Sequence, residues 1–169
     1  SSSKSSWEAY PAGQNEVLRL TQNQVGYSYR AVVSYIDSHG TREVLYTSPS
    51  ETIDNIDDPV QGEVTIVGEP KEGITLRALS NSLSDEDGIA SISISWETSR
   101  DGRNWVTVNS LSGPVLSLTQ ALVGSQVRAR VAVVDNFGIE TNLYSQATRT
   151  VENVNNKPSG RIVIRRVGQ

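Results

Sequence analysis

The stretch Ile-Ala-Ser-Ile-Ser-Ile-Ser-Trp-Glu-Thr, residues 89–98, alternates apolar and polar side chains. Successive side chains of a β-strand point to opposite faces, so Ile92, Ile94 and Trp96 share one face and serines lie between them. A half-buried strand has this period of two, whereas a helix needs a period near 3.6. We therefore predict a central strand whose apolar face places Trp96 in a hydrophobic core.

Residues 58–155 contain further short strands separated by turn signals. The longest covers residues 125–134, with valine and alanine alternating on one face. Asp101-Gly102 is a favoured hairpin pair, and residues 135–138 form another turn. About seven strands and no convincing helix predict an all-β fold of the sandwich type. The other strands that we predict here are 62–67, 74–79, 105–108, 115–118 and 141–151.

The sequence repeats itself at an offset of 98 residues without a gap. A fixed period is typical of proteins built from arrays of modules. The repeat divides the chain into the C-terminal part of one module (1–57), a complete module (58–155) and the first strand of a third (156–169), as in a fragment of a longer array. Matching positions include Trp7 and Trp105, Arg30 and Arg128, Asp37 and Asp135, Gly40 and Gly138, and Tyr46 and Tyr144.

The composition of the chain excludes several classes of function. The net charge of −4 gives no dominant basic face, so we expect no nucleic-acid partner. The absence of cysteine excludes disulfides and thiolate metal sites. No apolar run approaches the roughly 20 residues of a membrane span. One histidine, His39, lies in a turn, and Phe137 takes its place in the second repeat, so we expect no catalytic role for it and no enzyme activity in this chain.

An ordered set of motifs resembles a family of tandem repeats. The complete unit is similar to the Ig-like, cadherin-like repeats of giant bacterial surface proteins, which include adhesins exported by type I secretion and related proteins with haemolysin-type (RTX) calcium-binding segments. The resemblance covers nearly the whole chain once the shift of phase is allowed. The matching stretches are E-G-I-T-L-R-A at 72–78, L-S-D-E-D-G at 83–88, I-S-W-E-T-S-R-D-G-R-N-W at 94–105, L-S-L-T-Q-A-L-V-G-S-Q-V-R-A-R-V at 116–131, V-V-D-N-F-G at 133–138 and V-E-N-V-N-N-K-P at 151–158.

This resemblance implies an Ig-like (cadherin-like) β-sandwich and a non-catalytic role. The module would be a stalk or spacer of an adhesive protein, extracellular and either secreted or at the cell surface, with neighbouring repeats of the same chain as its partners. Three alternatives stay open: a module that binds a cell-surface glycan or protein through its loops, an accessory domain of a large secreted enzyme, and a virion surface protein. An exposed aromatic cluster around Trp105 and Tyr144 would favour the binding module.

Two acidic segments are candidate calcium sites. The loop at 84–88 offers Asp85 and Asp87 beside a glycine, and the linker after residue 53 offers Asp57 and Asp58. Calcium prefers six to eight hard oxygen ligands, which carboxylates and backbone carbonyls supply. Aspartates that cap turns, or that lie in a solvated linker, are the open alternative.

In cadherin-like arrays the linker carboxylates share ions with loops of the modules. Asp37 and Asp135 lie in loops that could approach such a junction. The second linker departs from the family pattern, because Asn155-Asn156 stands where the first linker has Asp57-Asp58, so calcium is in doubt there.

The C-terminal segment alternates partly like a strand. Ile162 and Ile164 match Val64 and Ile66 of the complete unit, so residues 160–166 are expected to begin the next module. A strand without its own module can add to an incomplete sheet. We therefore expect strand exchange through residues 160–166, within a chain or between chains.

Overall fold

The structure is a computed structural model that describes residues 6–10 and 17–165, with the backbone alone at 109–111. Backbone contacts divide the chain into two compact units, Ser1–Asp57 and Asp58–Gln169, called here the first and the second unit. The described residues form nine β-strands and two short 3-10 helices. An all-β fold was predicted, and it is confirmed.

The second unit contains seven strands in two antiparallel sheets. One sheet has three strands in the order β3-β4-β7, and the other has four in the order β6-β5-β8-β9. A 3-10 helix, Gln120–Leu122, precedes β8. The strands are β3 (Thr65–Val67), β4 (Thr75–Leu79), β5 (Ile89–Ser99), β6 (Val106–Ser112), β7 (Val115–Ser117), β8 (Gln126–Asp135) and β9 (Glu140–Tyr144).

Both sheets of the second unit contribute to one hydrophobic core, as in a β-sandwich. Trp96 is fully buried, as predicted, and its indole N–H donates to the carbonyl oxygen of Gly113 at 3.0 Å. Because side chains alternate along a strand, β8 buries every second residue from Val127 to Val133. The buried apolar side chains are those of Val64, Leu76, Ala78, Trp96, Leu116, Leu118, Leu122, Val127, Ala129, Val131, Val133 and Val151.

The first unit contains a single hairpin among its described residues. Its strands are β1 (Val32–Ile36) and β2 (Arg42–Tyr46), which pair antiparallel, and a 3-10 helix covers Gln22–Gln24. Every residue of β1 and β2 is exposed. Each of these elements has a counterpart 98 residues later. The 3-10 helix matches the second 3-10 helix, β1 matches the last part of β8, and β2 matches β9. The repeat period and the Ig-like assignment stay predictions.

The strand predicted at 141–151 is shorter in the structure, and so is the strand that the repeat implies at 27–36 by its match with the long strand. The N–H groups of Ala129 and Val127 donate to the hydroxyls of Ser145 and Thr148, at 2.9 and 3.0 Å. A side-chain acceptor therefore replaces a ladder carbonyl there, and β9 ends at Tyr144. Hydroxyls of Thr47 and Ser50 accept the N–H groups of Ala31 and Tyr29 in the same way, so β1 begins only at Val32.

Residues 161–165 form no strand in the structure. The side chains of Ile162 and Ile164 are each 95% exposed. Residue 166 lies outside the described residues. Strand exchange through 160–166 stays a prediction.

Candidate metal centre

The acidic loop before β5 is organised by Asp85. Its carboxylate accepts the N–H of Asp87 at 2.9 Å, and its carbonyl oxygen accepts the N–H of Gly88 at 3.0 Å. Gly88 has φ +80, a left-handed conformation that favours glycine. Asp85 therefore caps the turn, which was one of its two open roles, and the turn directs Asp87 inward.

The Asp87 carboxylate is almost fully buried, with 4% of the residue exposed. Its Oδ2 accepts the backbone N–H of Asp58 at 2.9 Å. Its Oδ1 is buried as well, and no donor among the residues that the structure describes reaches it. A buried carboxylate oxygen without a donor is costly, because burial removes its water. A cation would supply the missing interaction.

Asp135 is the second buried carboxylate of this region, also 4% exposed. It ends β8, and its Oδ1 accepts the N–H groups of Phe137 and Ile139, both at 2.8 Å. These two bonds fix the carboxylate at the turn between β8 and β9. Its sequence counterpart Asp37 makes the same pair of bonds in the first unit, to the N–H groups of His39 and Thr41.

Oxygens of three aspartate carboxylates lie close together. Oxygens of Asp57, Asp87 and Asp135 all lie within 4.8 Å of one another. Asp57 is the last residue of the first unit and is bonded to Asp58, whose N–H donates to Asp87. Three hard anionic oxygens suit calcium or magnesium, and neither nitrogen nor sulfur ligands for a softer metal are present in the cluster.

The structure brings together two of the four residues predicted for calcium. Asp87 and Asp57 belong to the cluster, whereas Asp85 caps its turn and Asp58 contributes a backbone N–H to Asp87. Calcium at any of them stays a prediction. Asp135 carries the third carboxylate; the sequence indicated only that its loop could approach a junction. Its position after a long strand and before a turn was the available signal.

The aromatic residues considered for ligand binding have other partners. Trp105 is half-buried, and its ring lies 4.3 Å from the guanidinium carbon of Arg128. Tyr144, 47% exposed, stacks on the same guanidinium at 4.3 Å. Arg128 also forms an ion pair with Glu97 at 2.6 Å. Of these two aromatic residues only Tyr144 is exposed, and its ring stacks on Arg128. A glycan-binding surface needs aromatic rings with open faces.

The first unit contains the same stack of a cation between two rings. The guanidinium carbon of Arg30 lies 4.3 Å from the ring of Trp7 and 4.6 Å from the ring of Tyr46. These three residues are the sequence counterparts of Trp105, Arg128 and Tyr144. The recurrence of Trp7 and Trp105 is therefore accompanied by the same local contact in each unit.

Comparison with known proteins adds no family to these observations. No protein-family model and no curated protein matches the chain. Within residues 6–10 and 17–165, no helix is long and apolar enough to cross a membrane.

Proposed function

We propose that this chain is a non-catalytic structural and adhesive module of a large extracellular surface protein. Each complete unit is an Ig-like sandwich, and many units in series form a stalk that holds a binding tip away from the surface. The partners of each unit are its neighbours in the same chain. Stability then comes from each core and from nearest-neighbour contacts.

The observation that supports this proposal is the recurrence of the same local bonds 98 residues apart. The N–H of Gly26 donates to the carbonyl of Ile53, and that of Gly124 donates to the carbonyl of Val151. A series of other backbone bonds recurs in the same way. Side-chain bonds recur too, such as that from the N–H of Ala31 to the hydroxyl of Thr47 and that from the N–H of Ala129 to the hydroxyl of Ser145. A module used repeatedly for one mechanical purpose accounts for this recurrence.

Calcium would supply stiffness at the start of the second unit. An ion held by Asp57, Asp87 and Asp135 would balance three nearby negative charges and tie the linker residue Asp57 to two loops of the sandwich. Asp58 already contacts Asp87 through its N–H. The linker would then lose rotational freedom where it enters the unit.

Single-molecule force spectroscopy on the full chain tests this proposal. A 98-residue unit that carries load unfolds in one step and lengthens the chain by roughly 300 Å, given about 3.3–3.6 Å per extended residue. We expect that step at a higher force in millimolar calcium than in chelator. The absence of a discrete step would contradict the mechanical role, and an equal force in chelator would contradict stiffening by calcium.

A further inference from the structure

The chain leaves the core of the second unit along the turn that precedes β4. The last core residue, Val151, is 1% exposed. The next residue, Glu152, pairs in parallel with Lys71 as an isolated bridge. Its N–H donates to the carbonyl oxygen of Pro70, and its carbonyl oxygen accepts the N–H of Glu72, both at 2.9 Å. The backbone of the second linker is therefore attached to the sandwich beyond the last strand.

Glu72 continues this attachment with its side chain. Its Oε2 accepts the N–H of Val154 at 3.0 Å, and its Oε1 accepts the side-chain N–H of Asn156 at 3.4 Å. Because an ionised carboxylate only accepts, the amide of Gln120 also turns its nitrogen toward Glu72, 3.0 Å from Oε1. Three donors therefore meet one half-buried carboxylate, two from the linker and one from the second 3-10 helix.

The departure of the second linker from the pattern of the first fits this arrangement. Asn156 stands where the first linker has Asp58. An amide donates to the Glu72 carboxylate, whereas an aspartate at this position would bring a second negative charge beside it. Asn155, which stands where the first linker has Asp57, is exposed. The second linker is therefore neutral at both positions, and one of its two amides contacts Glu72.

This contact lies at the other end of β8 from the cluster of aspartates. The N–H of Val151 donates to the carbonyl oxygen of Ser125, just before β8 begins, whereas Asp135 is the last residue of that strand. A strand of ten residues spans roughly 30 Å. An ion at the aspartates would therefore lie too far away to contact Glu72.

We propose that Glu72 clamps the outgoing linker, residues 152–156, to the second unit without a metal ion. Hydrogen bonds to a charged acceptor are stronger than those between neutral groups, so the N–H groups of Val154, Asn156 and Gln120 hold the linker through one carboxylate. Donors already surround this carboxylate, whereas a cation would balance the three aspartates. The clamp adds order to the second linker, and it depends neither on calcium nor on the stalk role.

Amide hydrogen exchange of the full chain, followed residue by residue by NMR, tests the clamp. Glu72→Ala removes both acceptor oxygens but keeps the backbone bonds to Glu152. We expect the protection factor of the Val154 amide to fall about tenfold, the loss expected for one charge-assisted hydrogen bond. The amide of Val131, within β8, should keep its protection, because the sandwich stays folded. An unprotected Val154 in the parent, or an unchanged value in the variant, would overturn the proposal.

Glu69→Ala is the matched control for the loss of a glutamate. Glu69 is exposed and lies three residues before Glu72. We expect its replacement to leave the protection of Val154 unchanged. If both variants lose the same protection, the carboxylate of Glu72 has no specific role and the clamp is wrong.

A substitution in the linker tests the same contact without altering the sandwich. Asn156→Asp places a carboxylate beside Glu72, and we expect the protection factor of Val154 to fall about threefold, since like charges repel weakly at a partly exposed position. Asn155→Asp adds the same charge at the exposed neighbour and should have a smaller effect. Equal effects would show that the amide of Asn156 does not contribute, and would contradict its place in the clamp.

Measurements in millimolar calcium and in chelator separate the clamp from the calcium proposal. The protection of Val154 should be the same in both, and its loss in chelator would show that an ion holds the linker and overturn the clamp. A calcium-dependent Tm together with an unprotected Val154 would overturn the clamp only. Equal melting in calcium and chelator together with a protected Val154 would overturn the calcium proposal only.

Discussion

Asp87 joins a turn, a linker and a cluster of carboxylates through one buried side chain. Its Oδ2 holds the N–H of Asp58, and its buried Oδ1 lacks a donor among the described residues. The sequence indicated this aspartate as a ligand, because it belongs to an acidic loop with a glycine. The sequence could not separate Asp87 from Asp85, since only the folded turn shows which carboxylate caps it and which points inward.

Asp87→Asn should remove most of the stabilisation by calcium while leaving the chain folded. The substitution deletes one of three anionic ligands but keeps the shape and an acceptor for Asp58. In chelator we expect the variant to be at least as stable as the parent, since repulsion within the cluster falls. Thermal melts in calcium and in chelator measure both effects. Glu86→Gln is the control, because it removes the same charge at an exposed residue of the same loop.

Asp101 organises the hairpin between β5 and β6 and should make stability depend on pH. Hydrogen bonds from the N–H groups of Asn104 and Arg103 hold the pKa of its carboxyl well below the ordinary value, with smaller contributions from the side chains of Asn104 and Ser99. Because the folded pKa is the lower one, this contribution is present above the unfolded pKa, about 3.9, and is lost as the pH falls below it.

Asp101→Asn should reduce that pH dependence. The variant keeps an acceptor for the backbone N–H groups but loses the charge. We expect the difference in Tm between parent and variant to be largest at about pH 6 and to shrink toward pH 2.5. Melts across this range measure it, and a difference that does not change with pH would show that the charge of Asp101 does not stabilise the hairpin.

At the scale of elements, strand positions followed from the period of two, but strand ends did not. β5 and β8 lie where the alternation predicts them. The closing strand ends at Tyr144 because hydroxyl side chains take over the hydrogen bonds of β8 beyond it. Serine and threonine are common inside strands as well, so their presence in the sequence does not mark the end of a ladder.

The stack around Arg128 connects β5, β8, β9 and the start of β6, and its loss should destabilise the second unit. Arg128→Lys keeps the charge but loses the planar guanidinium that lies between the rings of Trp105 and Tyr144 and pairs with Glu97. We expect a loss of about 1–2 kcal/mol in the free energy of unfolding. Urea unfolding measures it.

The same substitution two residues along β8 is the control for the stack. Arg130 donates to Asn142, and within the described part of the chain no aromatic ring stacks on its guanidinium. Arg130→Lys should therefore change the free energy of unfolding by less than about 0.5 kcal/mol. Equal losses for both variants would mean that the stack does not stabilise the sheet beyond an ordinary surface contact.

At the scale of the whole molecule, the repeat predicts three pieces, 1–57, 58–155 and 156–169, and backbone contacts divide the chain into two compact units. The division falls between Asp57 and Asp58. The convergence of Asp57, Asp87 and Asp135 could not be predicted in full, because the three residues come from a linker and two loops that only the folded sandwich brings together. A match in period indicates equivalent positions, but it does not indicate which loops meet.

A thermal melt of the full chain in millimolar calcium and in chelator tests the central claim most directly. An ion that binds only the folded second unit stabilises it by about 2.7 kcal/mol at a hundredfold its dissociation constant. For a unit of this size the Tm should then rise by roughly 10 °C or more. That rise, lost in Asp87→Asn, is the result we predict. Equal melting in calcium and in chelator would contradict the account, and the carboxylates would then have no role in binding calcium.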